Sequence, residues 1–161
     1  MPKKTSTSQS KASNLAQAPS DVAQLLRKKG NTMYSVSASD TLLTVVEMLR
    51  SQRIGAVLVV SAEGELEGIL SERDVVRKLA DVGGDVREQL VHQLMTRDVK
   101  TCSPSDHLLD VLQVMTDGRF RHMPVVENDK LIGIVTIGDV VNHRLRELEH
   151  ETISMKQMIV G

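Results

Sequence analysis

The stretch "GILSERD" runs from Gly68 to Asp74, and "GIVTIGD" runs from Gly133 to Asp139. Both read glycine, two aliphatics, a hydroxyl residue, two variable residues and aspartate. Working outward from this phrase, the chain from Asp21 onward resolves into two copies of one unit, and an internal repeat governs the fold. Placing Asp40 on Asp106 sets Leu42 and Leu43 on Leu108 and Leu109, Val45 on Val111, Met48 on Val114 and Arg53 on Arg119. Val59-Val60 then fall on Val125-Val126. The second copy is one residue shorter in the turn written "SAEGELE" in one copy and "ENDKLI" in the other. Past that turn, Gly68 meets Gly133, Ser71 meets Thr136 and Asp74 meets Asp139. A register held on both sides of a one-residue gap marks a duplication.

Each copy carries the same pattern of elements. A short strand, near residues 34–37 and 100–102, meets a helix N-cap signal, "SASD" or "SPSD". A helix follows, with Leu42, Val45, Val46 and Leu49, or Leu108, Leu109, Leu112 and Met115, at helical spacing. Two apolar strands come next, "AVLVV" and "LEGILS" or "HMPVV" and "LIGIVT", joined by polar turns. A second helix is expected to open at the aspartate, and further helices to precede the copies near 21–29 and 86–95. The fold class expected is α/β (α+β), built from two β-α-β-β-α repeats. The boundaries read as a disordered tail at 1–20, repeats at 21–82 and 83–149, and a C-terminal helical extension at 150–161.

Composition limits what such a chain does. Of its 161 residues, 40% are hydrophobic and 25% charged, as in ordinary soluble globular proteins. With one Tyr, one Phe and no Trp, the core must be aliphatic, with eight Met as adaptable filler. A formal net charge of −1 gives no field that draws nucleic acid or an anionic membrane. "TRDVK" and "RFRH" are too short for a nucleic-acid surface and lack aromatics for base stacking. No apolar run approaches the roughly 20 residues that span a bilayer. The lone Cys102 excludes an internal disulfide and suits a reducing compartment, so a cytoplasmic location is expected. The first 20 residues, rich in Ser, Thr, Ala and Gln with three Lys and no acid, read as a disordered tail. Organelle transit peptides share that composition but favour Arg, which this segment lacks.

The repeated phrase is chemical as well as structural. A hydroxyl residue ends a strand, and an aspartate follows three residues later at a helix start, where free backbone N–H groups favour an anion. That anion is a ligand phosphate or the aspartate itself, and a carboxylate suits paired hydroxyls such as those of a ribose. The plain alternative is that Ser71/Asp74 and Thr136/Asp139 only cap helices, although the glycines beside them allow close approach. Gly83-Gly84 lacks the Lys-Ser/Thr of a phosphate loop and reads as a linker. His143, Glu147, His150 and Glu151 fall on one helix face, as metal ligands would, but read better as a solvated charged helix without metal. No nucleophile–base pair or paired acid stands out, so no catalytic residue and no enzyme are expected. Val141, Leu145, Leu148, Met155 and Ile159 fall near heptad spacing, interrupted by Thr152. That stripe reads as a helix packing on a partner subunit, or else back on its own domain.

"LVHQLMTRDVKTCSPSD", "RFRHMPVV" and "GIVTIGDVV" resemble a cystathionine-β-synthase (CBS) domain, and "RIGAVLVV" with "GILSERDVVRKL" resembles a second. The likeness covers roughly residues 21 to 150 and is similar to the tandem CBS pair, or Bateman module, of small standalone bacterial proteins. It implies two repeats about a pseudo-two-fold axis, clefts that bind adenine nucleotides, and a homodimer. One pocket would use Ser71 and Asp74 with Ser35, Val36 and Ser37 and the backbone of Ala56 and Val57. The other would use Thr136 and Asp139 with Thr101, Cys102 and Ser103 and the backbone of His122, Met123 and Pro124. The resemblance also makes Arg121 and His122 a basic pair for phosphate, which relatives often supply across to the other pocket, here that of Asp74. Arg73 adds charge there. Gly55 and Ala56 replace the pair in the first copy, so the pockets should not be equivalent. The implied function is a regulatory module acting in trans on an unknown downstream protein, with AMP as ligand ahead of NAD(H) or ATP. The alternative is a ligand-independent structural adaptor.

Overall fold

The computed structural model describes residues 19–160, so the expected tail lies outside the described residues up to residue 18. Helix α1 (Val22–Lys29) comes first. Repeat 1 holds β1 (Ser35–Val36), α2 (Leu42–Gln52), β2 (Ala56–Val60), β3 (Leu66–Ser71) and α3 (Glu72–Asp81). A short α4 (Val91–Leu94) leads into repeat 2, with α5 (Leu108–Gly118), β4 (His122–Glu127), β5 (Lys130–Thr136) and α6 (Ile137–Val160). The α+β repeat architecture expected from the sequence is present.

The duplication extends to small irregularities. β2 pairs antiparallel with β3 and β4 with β5, and the register slips between Val59 and Val60 in one pair and between Val125 and Val126 in the other. Both α2 and α5 end on an arginine in the left-handed conformation, Arg53 at φ 54° and Arg119 at φ 57°. In repeat 1, β1 pairs parallel with β2 through Ser35–Leu58 and Val36–Val59. Repeat 2 keeps only the Cys102–Val125 bridge. The cause is Pro124. Leu58 donates its N–H to the Tyr34 carbonyl at 3.0 Å, and Pro124, at the matching position, has no N–H to donate.

Three local expectations are corrected. "SASD" and "SPSD" do not cap the helices that follow: Asp40 and Asp106 turn back to accept the Ser37 and Ser103 N–H groups, each at 2.8 Å. The N-caps are instead Thr41 and His107. The helices after the repeated phrase open at Glu72 and Ile137, so each aspartate lies in the first turn rather than at the start. The helix expected over 86–95 shrinks to Val91–Leu94, because Val86 to Leu90 form turns that pack Val86 into the core.

The core explains this shortening. Two apolar clusters form, and each recruits the helix that leads into the other repeat. Val22 and Leu25 of α1 are buried with Leu108, Val111, Met115, Met123 and Val125 of repeat 2. Val91 and Leu94 of α4 are buried with Leu42, Val45, Val57, Val59 and Leu70 of repeat 1. The backbone ties match: Val22 N–H donates to the Asp106 carbonyl at 2.9 Å, and Val91 N–H to the Asp40 carbonyl at 2.8 Å. These crossed helices account for the glycines of the opening phrase. A Cβ on Gly68 would stand 2.8 Å from Met95 Sδ, just beyond α4, and one on Gly133 would stand 2.9 Å from Leu26 Cδ2 in α1. The close approach they allow is that of the segment just after α4 at Gly68 and of α1 at Gly133.

Candidate functional site

Ser71 is the N-cap of α3, and its Oγ accepts the Asp74 N–H at 3.3 Å. Asp74 reaches back, its Oδ2 accepting from the Ser71 N–H and the Ser71 hydroxyl, both at 2.9 Å. This capping box meets two helix-start donors and fixes the carboxylate. Among the described residues, the hydrogen bonds to Asp74 all land on Oδ2, which leaves Oδ1 as an acceptor. Thr136 and Asp139 repeat the geometry at the start of α6, with Asp139 N–H to Thr136 Oγ1 and Thr136 N–H to Asp139 Oδ2 each at 3.0 Å. Capping is therefore real in both copies.

A cavity of about 260 Å³ opens at the Asp74 end. Repeat 1 contributes Gly55, Ser71, Glu72, Arg73, Asp74 and Arg77; the segment after α4 contributes Thr96, Asp98, Val99 and Lys100; repeat 2 contributes Gly118 to His122. The lining has five cations (Arg73, Arg77, Lys100, Arg119, Arg121) against three carboxylates (Glu72, Asp74, Asp98). Its charge thus favours an anion, while one fixed carboxylate faces the space. His122 sits at the seam: burial lowers its pKa first, the Glu72 carboxylate opposes that, and Lys29 adds to it. The ring is neutral at neutral pH.

Of the residues singled out from sequence, Ser71, Arg73, Asp74, Arg121 and His122 meet in this cavity, with both repeats contributing. Ser35, Val36, Ser37, Ala56 and Val57 are not part of its lining. The side chains of Val36, Ala56, Val57, Cys102 and Met123 are buried in the protein core, so only their backbone could face a ligand. Thr101 borders a different, more open depression with Arg97, Val99, Val126 and Asp129. Ser103 donates its N–H to Asp106, and Pro124 accepts the Cys102 N–H at 3.0 Å. Asp139 is engaged by Lys29, whose Nζ also donates to the Ile134 carbonyl at 2.8 Å. Sequence reading missed Lys29, Arg77, Asp98, Lys100 and Arg119. Arg77 follows Arg73 by one helical turn and Arg119 matches Arg53 in the repeat, so both left a signal. Lys29 left none, being one of three basic residues closing α1.

His143 corrects another expectation. It is 4% exposed, not solvated, and its Nε2 lies 3.2 Å from Glu147 Oε1, because the first half of α6 packs on α1 and α5. Among the described residues, no group of three or more His, Cys, Asp or Glu could hold a metal ion. Cys102 is buried, and burial pushes its thiol up to about 12. No helix among the described residues is long and apolar enough to cross a membrane.

Two repeats of this order, joined by crossed helices around a charged cleft, define the class of small tandem-repeat modules. The CBS domain family matches the sequence twice, at residues 22–81 and 91–146, and the chain belongs to that family as a tandem pair. It is similar to the crystal structure of a CBS-domain-containing protein from Agrobacterium tumefaciens, with 39% identity and a TM-score of 0.75 over 77% of this chain and 92% of that one. A mitochondrial CBS domain-containing protein of Arabidopsis thaliana is 31% identical over 148 residues, covering 87% of this chain and 72% of that protein. A protein of Thermofilum pendens is 40% identical over 114 residues, 71% of this chain, but the match spans only 37% of its length. A CBS pair solved in complex with 5′-methylthioadenosine and S-adenosyl-L-methionine shares the fold at a TM-score of 0.68 and 21% identity, over 78% of this chain and 95% of that one.

Proposed function

We propose that this CBS pair is an adenine-nucleotide-binding regulatory module and that its working site is the Asp74 cavity. The observation that carries the reading is convergence across the seam: a capped carboxylate from repeat 1 faces Arg119, Arg121 and His122 from repeat 2 in one space. Ribose hydroxyls would donate to Asp74 Oδ1, and phosphate would lie toward Arg121, Arg119 and Lys100 in charge-assisted contacts. A volume of about 260 Å³ sits at the small end of ligand pockets, which supports AMP over NAD(H). That a pair of the same fold holds adenosine compounds is consistent with the adenosine half of this reading.

Because both repeats wall the site, a ligand that fits one relative arrangement better would shift the pair toward it. The chain would pass this change to a downstream protein in the cytoplasm, without catalysis. α6 leaves Val141, Leu145, Leu148, Met155 and Ile159 between 40% and 82% exposed, which supports packing on a partner subunit over packing back on its own domain. It is the proposed face of a homodimer, which light scattering would report as twice the chain mass.

The first test is thermal melting of nucleotide-stripped protein against AMP, ADP, ATP, NAD, NADH and S-adenosylmethionine. A ligand at about 100 times its Kd stabilises by roughly 2.7 kcal/mol. A shift with AMP supports the reading. No shift with any of them favours a ligand-independent adaptor.

A further inference from the structure

The two aspartates of the repeated phrase sit in unequal surroundings. Lys29, the last residue of α1, pairs with Asp139 Oδ2 and donates to the Ile134 carbonyl at 2.8 Å. In the other repeat, the matching Ile69 carbonyl accepts the Thr96 N–H at 2.9 Å instead. The residue that follows Val91 at the spacing at which Lys29 follows Val22 is Asp98, and Asp98 lines the Asp74 cavity. The duplication thus brings a cation to one aspartate and a carboxylate to the neighbourhood of the other. The positions across the seam are also unequal: Arg121 and His122 face the Asp74 cavity, and their matches in repeat 1 are Gly55 and Ala56.

We infer that Lys29 shuts the Asp139 half-site, so that the chain binds one nucleotide, at Asp74, and Lys29 is the residue that sets this number. The inference rests on the nucleotide reading above. α1 holds the Lys29 backbone in place because Val22 and Leu25 are locked into the core of repeat 2, so the ion pair costs side-chain freedom but no further backbone freedom. Lys29 and Asp139 are 28% and 25% exposed, which shields the pair from solvent more than a surface pair. A ribose diol is neutral and would have to displace an ammonium from the oxygen it needs, exchanging an ion pair between two charged groups for hydrogen bonds in which only the acceptor is charged. The positions that match Arg121 and His122 in the first copy are Gly55 and Ala56, so that pair has no counterpart there.

Calorimetric titration with AMP tests this on the full-length protein. Wild type is expected to bind one AMP per chain, Lys29→Arg one, and Lys29→Met, which keeps the carbon stem, two. Lys29→Gln serves as a second neutral variant, and melts confirm that each variant folds. Adding Asp74→Ala to Lys29→Met should return the count to one, locating the new site at Asp139. Two AMP per wild-type chain, or one in folded Lys29→Met and Lys29→Gln, overturns the inference and leaves the nucleotide reading intact. No binding by wild type or by the Lys29 variants removes both.

Discussion

The imidazole of His122 packs over Gly55 so closely that a Cβ at residue 55 would stand 3.1 Å from its Cε1 and 3.2 Å from its Nε2. Gly55 is the repeat partner of Arg121, so the departure of the first copy from the second has a steric cause. Around a pseudo-two-fold axis, two Arg-His pairs would compete for one space, and the glycine yields it. Gly55→Ala should push the ring toward the Asp74 cavity. Overpacking of this kind costs about 1 kcal/mol or somewhat more, a fall of roughly 2–4 °C in Tm. Melts with and without AMP should show the ligand-induced shift reduced by more than the apo Tm; an unchanged shift would separate His122 from the site.

Asp74→Ala removes both a cap and the proposed ribose acceptor. It should lower stability by about 1 kcal/mol, as loss of an N-terminal box does, and abolish AMP stabilisation at the working site. Arg121→Ala, at an exposed position, should leave the Tm near wild type. It should weaken AMP by about 1.5–3 kcal/mol, roughly tenfold to a hundredfold, while adenosine binding barely changes. Equal losses for the two ligands, measured by calorimetry, would take Arg121 out of the phosphate site.

His122 makes stability fall on the acid side. Its pKa in the folded protein is below the ordinary 6.5, chiefly through burial, so well above 6.5 the ring is neutral folded or unfolded and contributes nothing. As pH falls below 6.5, the unfolded chain takes up the proton first, and stability is lost until the folded pKa is passed. His122→Gln should therefore lose less stability than wild type as pH falls below 6.5. Denaturant titrations across that range would show the two proteins diverging, and parallel curves would contradict the sign.

Cys102 should behave as an inert core residue. With the thiol pushed up to about 12 by burial first and the nearby Asp106 second, almost no thiolate exists at pH 8. An aromatic disulfide reagent should label it slowly in the native protein and at once in guanidinium. Rapid native labelling would mean that the Cys102–Val125 bridge opens readily.

Much of this molecule is legible in its sequence because duplication supplies an internal control. The Asp40–Asp106 register fixed the element order, and the Ser71/Asp74 phrase located the helix start on which the cavity is built. Legibility failed where the physics is local or long-range in ways that spacing does not encode. "SASD" looks like a cap because Ser and Asp favour both caps and turns, and the Asp40 carboxylate finds the Ser37 N–H first. The reduction of the matching pairing in repeat 2 to the Cys102–Val125 bridge was readable at Pro124, which removes one donor. Gly68 and Gly133 read as room for a ligand, yet they make room for Met95 and Thr96, just after α4, and for Leu26 of α1. Lys29 was not readable, since its role depends on α1 crossing to a repeat far along the chain.

That crossing sets the order in which the molecule can be made. α1 leaves the ribosome before either repeat, but Leu108, Val111 and Met115, against which Val22 and Leu25 pack, emerge only with the second. Repeat 1 is complete in sequence by Asp81, yet it lacks Val91 and Leu94 until the second copy has begun. Neither half therefore owns a closed core during synthesis, and contacts of such long sequence separation form late and slowly. A nascent first repeat would expose the apolar surface that α4 later covers, which is where a chaperone would hold the chain. Once finished, the halves are interlocked, and one cannot melt without stripping a helix from the other.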